Sequence, residues 1–371
     1  MRPLPLLLAL LAALLAALAP AAAAQENPTA PAATPSLVDT PLVIAHRGAS
    51  GYRPEHTLAA YELGARMGAD FIEPDLVSTR DGVLVARHEN EISGTTDVET
   101  RPEFAARRTT KVIDGVSYTG WFTEDLTYAE LRTLRAEERI PAIRPRNTLY
   151  DRRYRVPTLQ QVIDLAQRLS RELDRTIGVY PETKHPAYHR SIGLPLEPRL
   201  VRTLRRNGLD DEGDPVFVQS FEVANLRALD RQIDAPLVQL YGAPDTRPAD
   251  GTRLTYRELA TRAGLEGVAG YADGVGPSKD YVIGRAADGT LLDEPTSFVA
   301  DAHAAGLLVH PYTFRNENTF LPADLRRGTD PSAFGDAFGE YARFFAAGID
   351  GLFSDHPDTA VEARDPDEGE G

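Results

Sequence analysis

The sequence predicts an α/β fold, a (β/α)8 TIM barrel that carries a small inserted subdomain. Three observations predict it. Short apolar runs recur along the chain, rich in Val, Ile, Leu and Phe without clean alternation, as strands buried on both faces read. Helical stretches lie between them, and Gly68, Gly208, Gly306 and Gly348 each close such a stretch shortly before a strand, where a left-handed residue ends a helix. This helix–Gly–strand order repeats through roughly 320 residues, enough for one large domain. An open doubly wound sheet is the alternative architecture.

In order, the candidate strands are Leu42–Ala45, Phe71–Val77, Val83–Ala86, Thr176–Tyr180, Val216–Gln219, Leu237–Leu240, a weak one near Val268–Val275, Leu307–His310 and Gly351–Phe353. Nine candidates do not fit eight staves. Only Ser78-Thr79-Arg80-Asp81-Gly82 joins the second to the third. Asp-Gly is a hairpin turn, and parallel strands need a crossover of a dozen or more residues. These two form a hairpin, or one of them lies outside the barrel wall; the weak strand near Val268 is the other candidate for removal. Thr127-x-x-Glu130, Thr158-x-x-Gln161 and Thr255-x-x-Glu258 fit the capping box that opens a helix. Residues 89–156 interrupt the rhythm. This long polar segment holds the only tryptophan, Trp121, and a helical pattern over Thr127–Ala136, and it reads as the inserted subdomain.

The two ends read differently from the body. Residues 1–24 carry Arg2 and then a Leu/Ala run without further charge, with a small-residue end near Ala22-x-Ala24. That pattern is a secretory signal peptide, a retained membrane anchor being the alternative. It implies a secreted or periplasmic destination, with no stable membrane insertion after cleavage. Residues 25–40 read as a flexible Pro/Ala/Thr linker, residues 41–360 as the barrel domain, and residues 361–371 as an acidic disordered tail. The chain has no cysteine, so disulfides are excluded and stability outside the cell rests on packing and on any bound metal. A formal net charge of -15 argues against a nucleic-acid partner, whose phosphates such a surface repels.

Four motifs stand where apolar strands end, which in a barrel is the catalytic rim. Val43-Ile-Ala-His46-Arg47-Gly48 offers a proton shuttle, a guanidinium that forks onto phosphate oxygens, and a glycine that lets the backbone approach a ligand. In Phe71-Ile-Glu73-Pro-Asp75-Leu, two carboxylates two residues apart point to one face. Buried and bare, they repel and resist ionisation; a hard divalent cation removes the conflict by taking their oxygens. Pro74 between them cannot donate to a sheet ladder and marks irregular backbone. Leu84-Val-Ala-Arg87-His88-Glu89 adds a second histidine. Ile177-Gly-Val-Tyr-Pro181-Glu182-Thr-Lys184-His185 adds a third acid, with a cation two residues on. Singly, each motif has a bland reading: a structural His-Arg pair, edge-strand acids, a Glu–Lys surface pair. Their recurrence at strand ends argues for a site. Trp121 reads as the core anchor of the insertion, His189 and His303 as packing or surface residues, and Asp355 and Asp358 as holding the last loop.

The set His46-Arg47-Gly48, Pro54-Glu55-x-Thr57, Glu73-x-Asp75, Thr79-x-Asp81-Gly82, His88, Pro181-Glu182-x-Lys184, Gln219-Ser220-Phe221, His310-Pro-Tyr-Thr313-Phe314-Arg315 and Ser354-Asp355-x-Pro357-Asp358 resembles the glycerophosphodiester phosphodiesterase family, and most of all its exported, periplasmic-type branch. The resemblance runs in order from about Leu42 to Asp358, and the stretch from Gly120 to Asn147 resembles that branch's insertion. It implies hydrolysis of glycerophosphodiesters to glycerol 3-phosphate and an alcohol. By position it implies Glu73, Asp75 and Glu182 as ligands of a divalent cation, Ca²⁺ first and Mg²⁺ second. It implies His46 and His88 as a general acid/base pair, Arg47 as a phosphate contact and Lys184 as a further cation on the phosphate side. Glu55 is implied near the metal shell, and Phe221 and Tyr312 as walls of the substrate pocket. His56 departs from the Asn common in the family, and Pro74 and His185 crowd their motifs. A phospholipase and a hydrolase of wall glycerophosphate polymers share the reacting unit; an inactive phosphate- or carbohydrate-binding barrel is the rival outside the enzymes.

Overall fold

The computed structural model describes Ser36 and residues 38–365. The signal-peptide reading and most of the linker reading lie outside the described residues. At the described end of the linker, the Ser36 hydroxyl donates to Asp350 at 2.9 Å.

The apolar runs form eight parallel staves. β1 is Leu42–Ala45. β2 comes in two pieces, Phe71–Ile72 and Asp75–Ser78, and so does β3, Gly178–Val179 and Glu182–Thr183. β4 is Val218–Ser220, β5 Leu237–Tyr241, β6 Gly274–Pro277, β7 Leu308–Val309 and β8 Gly351–Ser354. Parallel pairing runs β8–β1–β2–β3–β4–β5–β6–β7. The ring closes between β7 and β8, where the Asp350 amide donates to the Val309 carbonyl at 3.0 Å and the Phe353 amide to the Pro311 carbonyl at 3.1 Å. The fold is therefore the closed barrel and not the open sheet.

Pro74 and Pro181 fall in the gaps of β2 and β3, since proline has no N–H for the ladder. The strand Leu84–Ala86 pairs antiparallel with the second piece of β2 and is the hairpin arm outside the wall. The weak seventh candidate is kept as β6, shifted toward its C-terminal end, while Val268 closes the helix Arg262–Val268. Its weak signal has a cause: a Cβ on Gly276 would stand 2.4 Å from Leu240 Cδ2, so the stave uses glycine where its neighbours use branched residues.

Side chains alternate across the wall. Ile44, Tyr180, Val238 and Phe353 fill the barrel interior. Val43, Ala45, Ile72 and Val179 point outward into the larger core under the helices. The helix Leu159–Glu172 meets them with Val162, Ile163, Ala166 and Leu169, a spacing of three and four that puts all of them on one face. All three expected capping boxes form, and the four helix-closing glycines are left-handed. The C-terminal reading needs correction at its first four residues only, since residues 366–371 lie outside the described residues. The helix Pro357–Arg364 covers 361–364, and Arg364 Nη1 anchors it to Asp70 at 2.7 Å and to the Pro41 carbonyl at 3.1 Å.

The insertion has its own apolar cluster, in which Ile92, Phe104, Trp121 and Leu131 pack on Val77 and Val85 of the outer hairpin. Trp121 Nε1 donates to the Phe104 carbonyl at 2.6 Å, which ties the anchor in place. The strands Thr109–Ile113 and Val116–Gly120 form an arm turned by Asp114-Gly115, both with positive φ. The helix expected over Thr127–Ala136 is only Tyr128–Leu131. The chain leaves it because the Arg135 amide binds Asp97 Oδ1 at 2.8 Å and the Ala136 amide binds the Tyr154 carbonyl at 2.9 Å.

Candidate active site

The same alternation that fills the barrel builds the site. Inward positions of β1 run Leu42, Ile44 and then His46. β2 presents Phe71 and then Glu73 and Asp75, β3 Tyr180 and then Glu182 and Lys184, and β4 Phe217 and then Gln219 and Phe221. Below the rim these positions are apolar; at the rim they become charged. The result is a cavity of about 350 Å³ at the C-terminal mouth, bordered also by Arg47, His88, Tyr312 and Arg315.

Glu73, Asp75 and Glu182 are buried and present one oxygen each within 4.8 Å of one another. Burial, and then Asp75 and Glu182, push the Glu73 carboxyl well above the usual range. Burial likewise lifts Glu182 to about 8. Asp75 moves the other way: burial raises it, but Lys184 and His56 outweigh burial and hold it well below. Asp75 Oδ1 accepts no hydrogen bond, with Lys184 Nζ 3.7 Å away. The Gln219 amide oxygen is also buried without a hydrogen bond, while its Nε2 donates to Glu73 Oε1 at 2.8 Å. Crowded hard oxygen donors with unmet acceptor capacity fit a divalent cation. His56 sets the orientation of Asp75, with Nε2 2.9 Å from Asp75 Oδ2 and Nδ1 2.7 Å from the Tyr61 hydroxyl.

The two histidines border the same cavity, each backed by an acid. His46 Nδ1 is 2.5 Å from Asp355 Oδ1, and its Nε2 is 3.9 Å from Glu73 Oε2. His88 Nδ1 is 2.5 Å from Glu89 Oε1. Burial, and then Arg47, push His46 down to about 4, although Asp355 opposes the shift. His88 is pushed down too, by burial and then by Arg47 and Lys184, while its ring remains partly open to the cavity. Asp355 does more than hold a loop: it also accepts from Arg144 and Arg315, and together with His46 these cations outweigh burial and keep its carboxyl well below the usual range.

The cations and the walls complete the site. The Arg47 amide donates to Glu73 Oε2 at 2.8 Å, and its guanidinium reaches Glu55 at 3.1 Å. Lys184 Nζ lies 2.7 Å from Glu182 and 5.7 Å from the centre of the Phe221 ring. Phe221 meets Tyr312 edge-on at 6.0 Å, and the Tyr312 hydroxyl is committed to the Tyr241 carbonyl at 2.6 Å, so Tyr312 serves as a wall. Glu55 stands across Arg47 from Asp75, with Arg47 Nη1 3.1 Å from Glu55 and its Nε 3.5 Å from Asp75, and is held by Arg139 at 2.6 and 2.8 Å. Gly48 also has a packing role. With φ +84° it packs on the helix Leu58–Arg66, where a Cβ would meet the Ala60 carbonyl carbon at 2.5 Å. His185 turns from the cavity to Asp114 of the insertion arm, 2.5 Å away.

Three residues given no role of their own by sequence reasoning matter here, Gln219, Arg139 and Arg144, as does Asp355, which was read only as holding the last loop. Asp355 carried a usable signal, since it directly follows an apolar stave as His46 does. The two arginines stood out only as part of the stretch that resembles the branch's insertion, and their irregular backbone gave no sign of what they bind.

The sequence profile described as the Glycerophosphoryl diester phosphodiesterase family matches residues 46–359. The chain belongs to this family. As a glycerophosphoryl diester phosphodiesterase it is an enzyme that hydrolyses phosphoric diesters. It is 35% identical over 335 residues to glycerophosphodiester phosphodiesterase GDPD6 of Arabidopsis thaliana, covering 86% of this chain and 85% of that protein. It is 30% identical over 342 residues to the glycerophosphodiester phosphodiesterase of Haemophilus influenzae, covering 86% and 89%. Among solved structures, the Oleispira antarctica phosphodiesterase OLEI02445, in complex with its product sn-glycerol-3-phosphate, superposes with a TM-score of 0.58 at 21% identity, over 88% of this chain and 97% of that one. The glycerophosphodiester phosphodiesterase of Agrobacterium tumefaciens gives 0.53 at 18% identity, over 86% and 99%. At these identities the structural likeness is one of fold, and the fold is the barrel.

Proposed function

We propose that this phosphodiesterase hydrolyses glycerophosphodiesters to glycerol 3-phosphate and an alcohol, with a divalent cation and two histidines. One observation carries the reading: two acid-backed histidines, Arg47, Lys184 and two of the three clustered carboxylates, Glu73 and Glu182, border a single cavity, and the oxygens of the third, Asp75, lie beside theirs. A cation held by Glu73, Asp75 and Glu182, Ca²⁺ first and Mg²⁺ second, would draw charge from the phosphate. Arg47 and Lys184 grip phosphate oxygens. One histidine takes the proton of the attacking hydroxyl and the other gives a proton to the leaving alcohol; water as attacker yields glycerol 3-phosphate directly, whereas a free hydroxyl of the glycerol moiety yields a cyclic phosphate that water then opens. Phe221 and Tyr312 exclude water from one side. The leader read in residues 1–24 would direct this activity outside the cytoplasm. Among the described residues no helix is long and apolar enough to cross a membrane.

The test is incubation with glycerophosphocholine and assay of glycerol 3-phosphate and choline, with a lysophospholipid as a parallel substrate. The reading expects turnover of the soluble diester. Turnover of the lysophospholipid alone would transfer the site to the phospholipase reading.

A further inference from the structure

Two arginines of the insertion end on the carboxylates that touch the two histidines. Arg139 donates to both oxygens of Glu89, from Nη1 at 3.0 Å and from Nη2 at 2.7 Å. Glu89 Oε1 is the atom that meets His88 Nδ1 at 2.5 Å. The same guanidinium donates to both oxygens of Glu55, which in turn takes Arg47 Nη1 at 3.1 Å. Arg144 Nη2 donates to Asp355 Oδ2 at 2.6 Å, and the other oxygen of Asp355 meets His46 Nδ1 at 2.5 Å. Arg144 is itself fixed from behind, by Glu317 at 2.6 Å and the Ser50 carbonyl at 3.0 Å.

The backbone between the arginines is pinned. The Ile143 and Arg144 amides both donate to the Ile140 carbonyl at 2.9 Å, and Asn147 ties the turn to Ser50 and Glu138. Neither arginine borders the catalytic cavity; both border a smaller one of about 120 Å³ behind His46 and Arg47.

We propose that Arg139 and Arg144 are positioning residues, through which the insertion sets the orientation of both histidines by clamping Glu89 and Asp355. This rests on the reading of His46 and His88 as the acid–base pair. A forked guanidinium fixes a carboxylate in direction as well as distance. A carboxylate free to rotate would let the imidazole Nδ1–H wander, and proton transfer tolerates little misplacement. A purely structural role for the same ion pairs, holding the insertion onto the barrel, has a different signature: it lowers stability and leaves turnover of the folded enzyme intact.

The experiment uses the full chain with glycerophosphocholine and measures kcat and KM for Arg139→Gln, Arg139→Lys, Arg144→Gln, Glu89→Gln, Asp355→Asn and the paired variants. Arg139→Gln lowers kcat at least about tenfold with KM moved less than about threefold. Arg139→Lys restores only part, because an ammonium cannot fork onto two carboxylates. Arg139→Gln adds little on top of Glu89→Gln but multiplies the loss of Asp355→Asn, and Arg144→Gln does the reverse. Unchanged kcat in the folded single variants, or losses that multiply within each contacting pair, would overturn the proposal. If Arg144→Gln does not fold, the Arg139 arm alone decides. His46→Ala and His88→Ala separate the two failures. If they keep kcat, the acid–base reading has failed; if they lose it while folded arginine variants do not, only this inference has.

Discussion

Replacing Asp355 by Asn keeps the shape of a side chain that is 2% exposed and removes its charge. Asp355 uses one oxygen for His46 Nδ1 at 2.5 Å and the other for Arg144 at 2.6 Å and Arg315 at 2.8 Å. The two guanidiniums only donate, so the Asn carbonyl must face them and the Asn NH2 must face His46. That NH2 donates to Nδ1, which leaves the proton on Nε2 and removes the base from the cavity side. If His46 acts as the acid instead, its imidazolium loses the anion that stabilises it. Either way one proton-transfer partner fails, a role worth roughly 10²–10⁴ in rate, or about 2.7–5.4 kcal/mol of barrier. Stability falls as well, by up to ~3–5 kcal/mol for a broken buried ion pair, lessened because Arg144 keeps Glu317. The assay is kcat from glycerol 3-phosphate release, at a temperature where urea titration shows the variant folded. A folded Asp355→Asn enzyme with kcat within about threefold of wild type would refute the reasoning.

Two further expectations concern the scaffold. His310 is fully buried in the barrel, and burial pushes it down to about 4. Its unfolded value is about 6.5, so below that pH the unfolded chain takes a proton that the folded chain refuses. The group therefore contributes stability that is complete above pH ~6.5 and lost as pH falls toward 4, about 3 kcal/mol in all. His310→Gln removes this dependence, so the urea-stability gap between wild type and variant narrows between pH 7 and 4; a gap that stays constant contradicts the assignment. Gly48→Ala places a Cβ 2.5 Å from the Ala60 carbonyl carbon at a φ of +84°. It should cost ~2 kcal/mol or more and lower the melting temperature, and a loss under about 0.5 kcal/mol speaks against the packing role.

Much of this architecture was legible because each signal was local. The Asp81-Gly82 turn separated the outer arm from the staves, and Pro74 announced the break in β2. The threonine capping boxes fixed three helix starts. The charged rim could be read because polar residues follow apolar runs directly in sequence. What escaped depended on packing between distant segments. The β6 stave read weakly because Gly276 yields space to Leu240, a demand made by the neighbouring stave. Gly48 was read as letting the backbone approach a ligand, and its packing on a helix could not be foreseen from its neighbours in sequence. Arg139 meets a carboxylate 84 residues away and Arg144 one 211 residues away, so no spacing rule reaches them. The tail reading began too early, at 361 instead of after Arg364, because composition alone cannot show that Arg364 has Asp70 to hold it.

The proposed chemistry stands on a cation among Glu73, Asp75 and Glu182. Glycerol 3-phosphate release from glycerophosphocholine, measured on exhaustively chelated enzyme and again as Ca²⁺ and Mg²⁺ are added back, tests this. Activity should fall by ~10²-fold or more on chelation and return with added cation, and Glu73→Gln should shift the restoring concentration upward. Undiminished release from metal-free enzyme would contradict it.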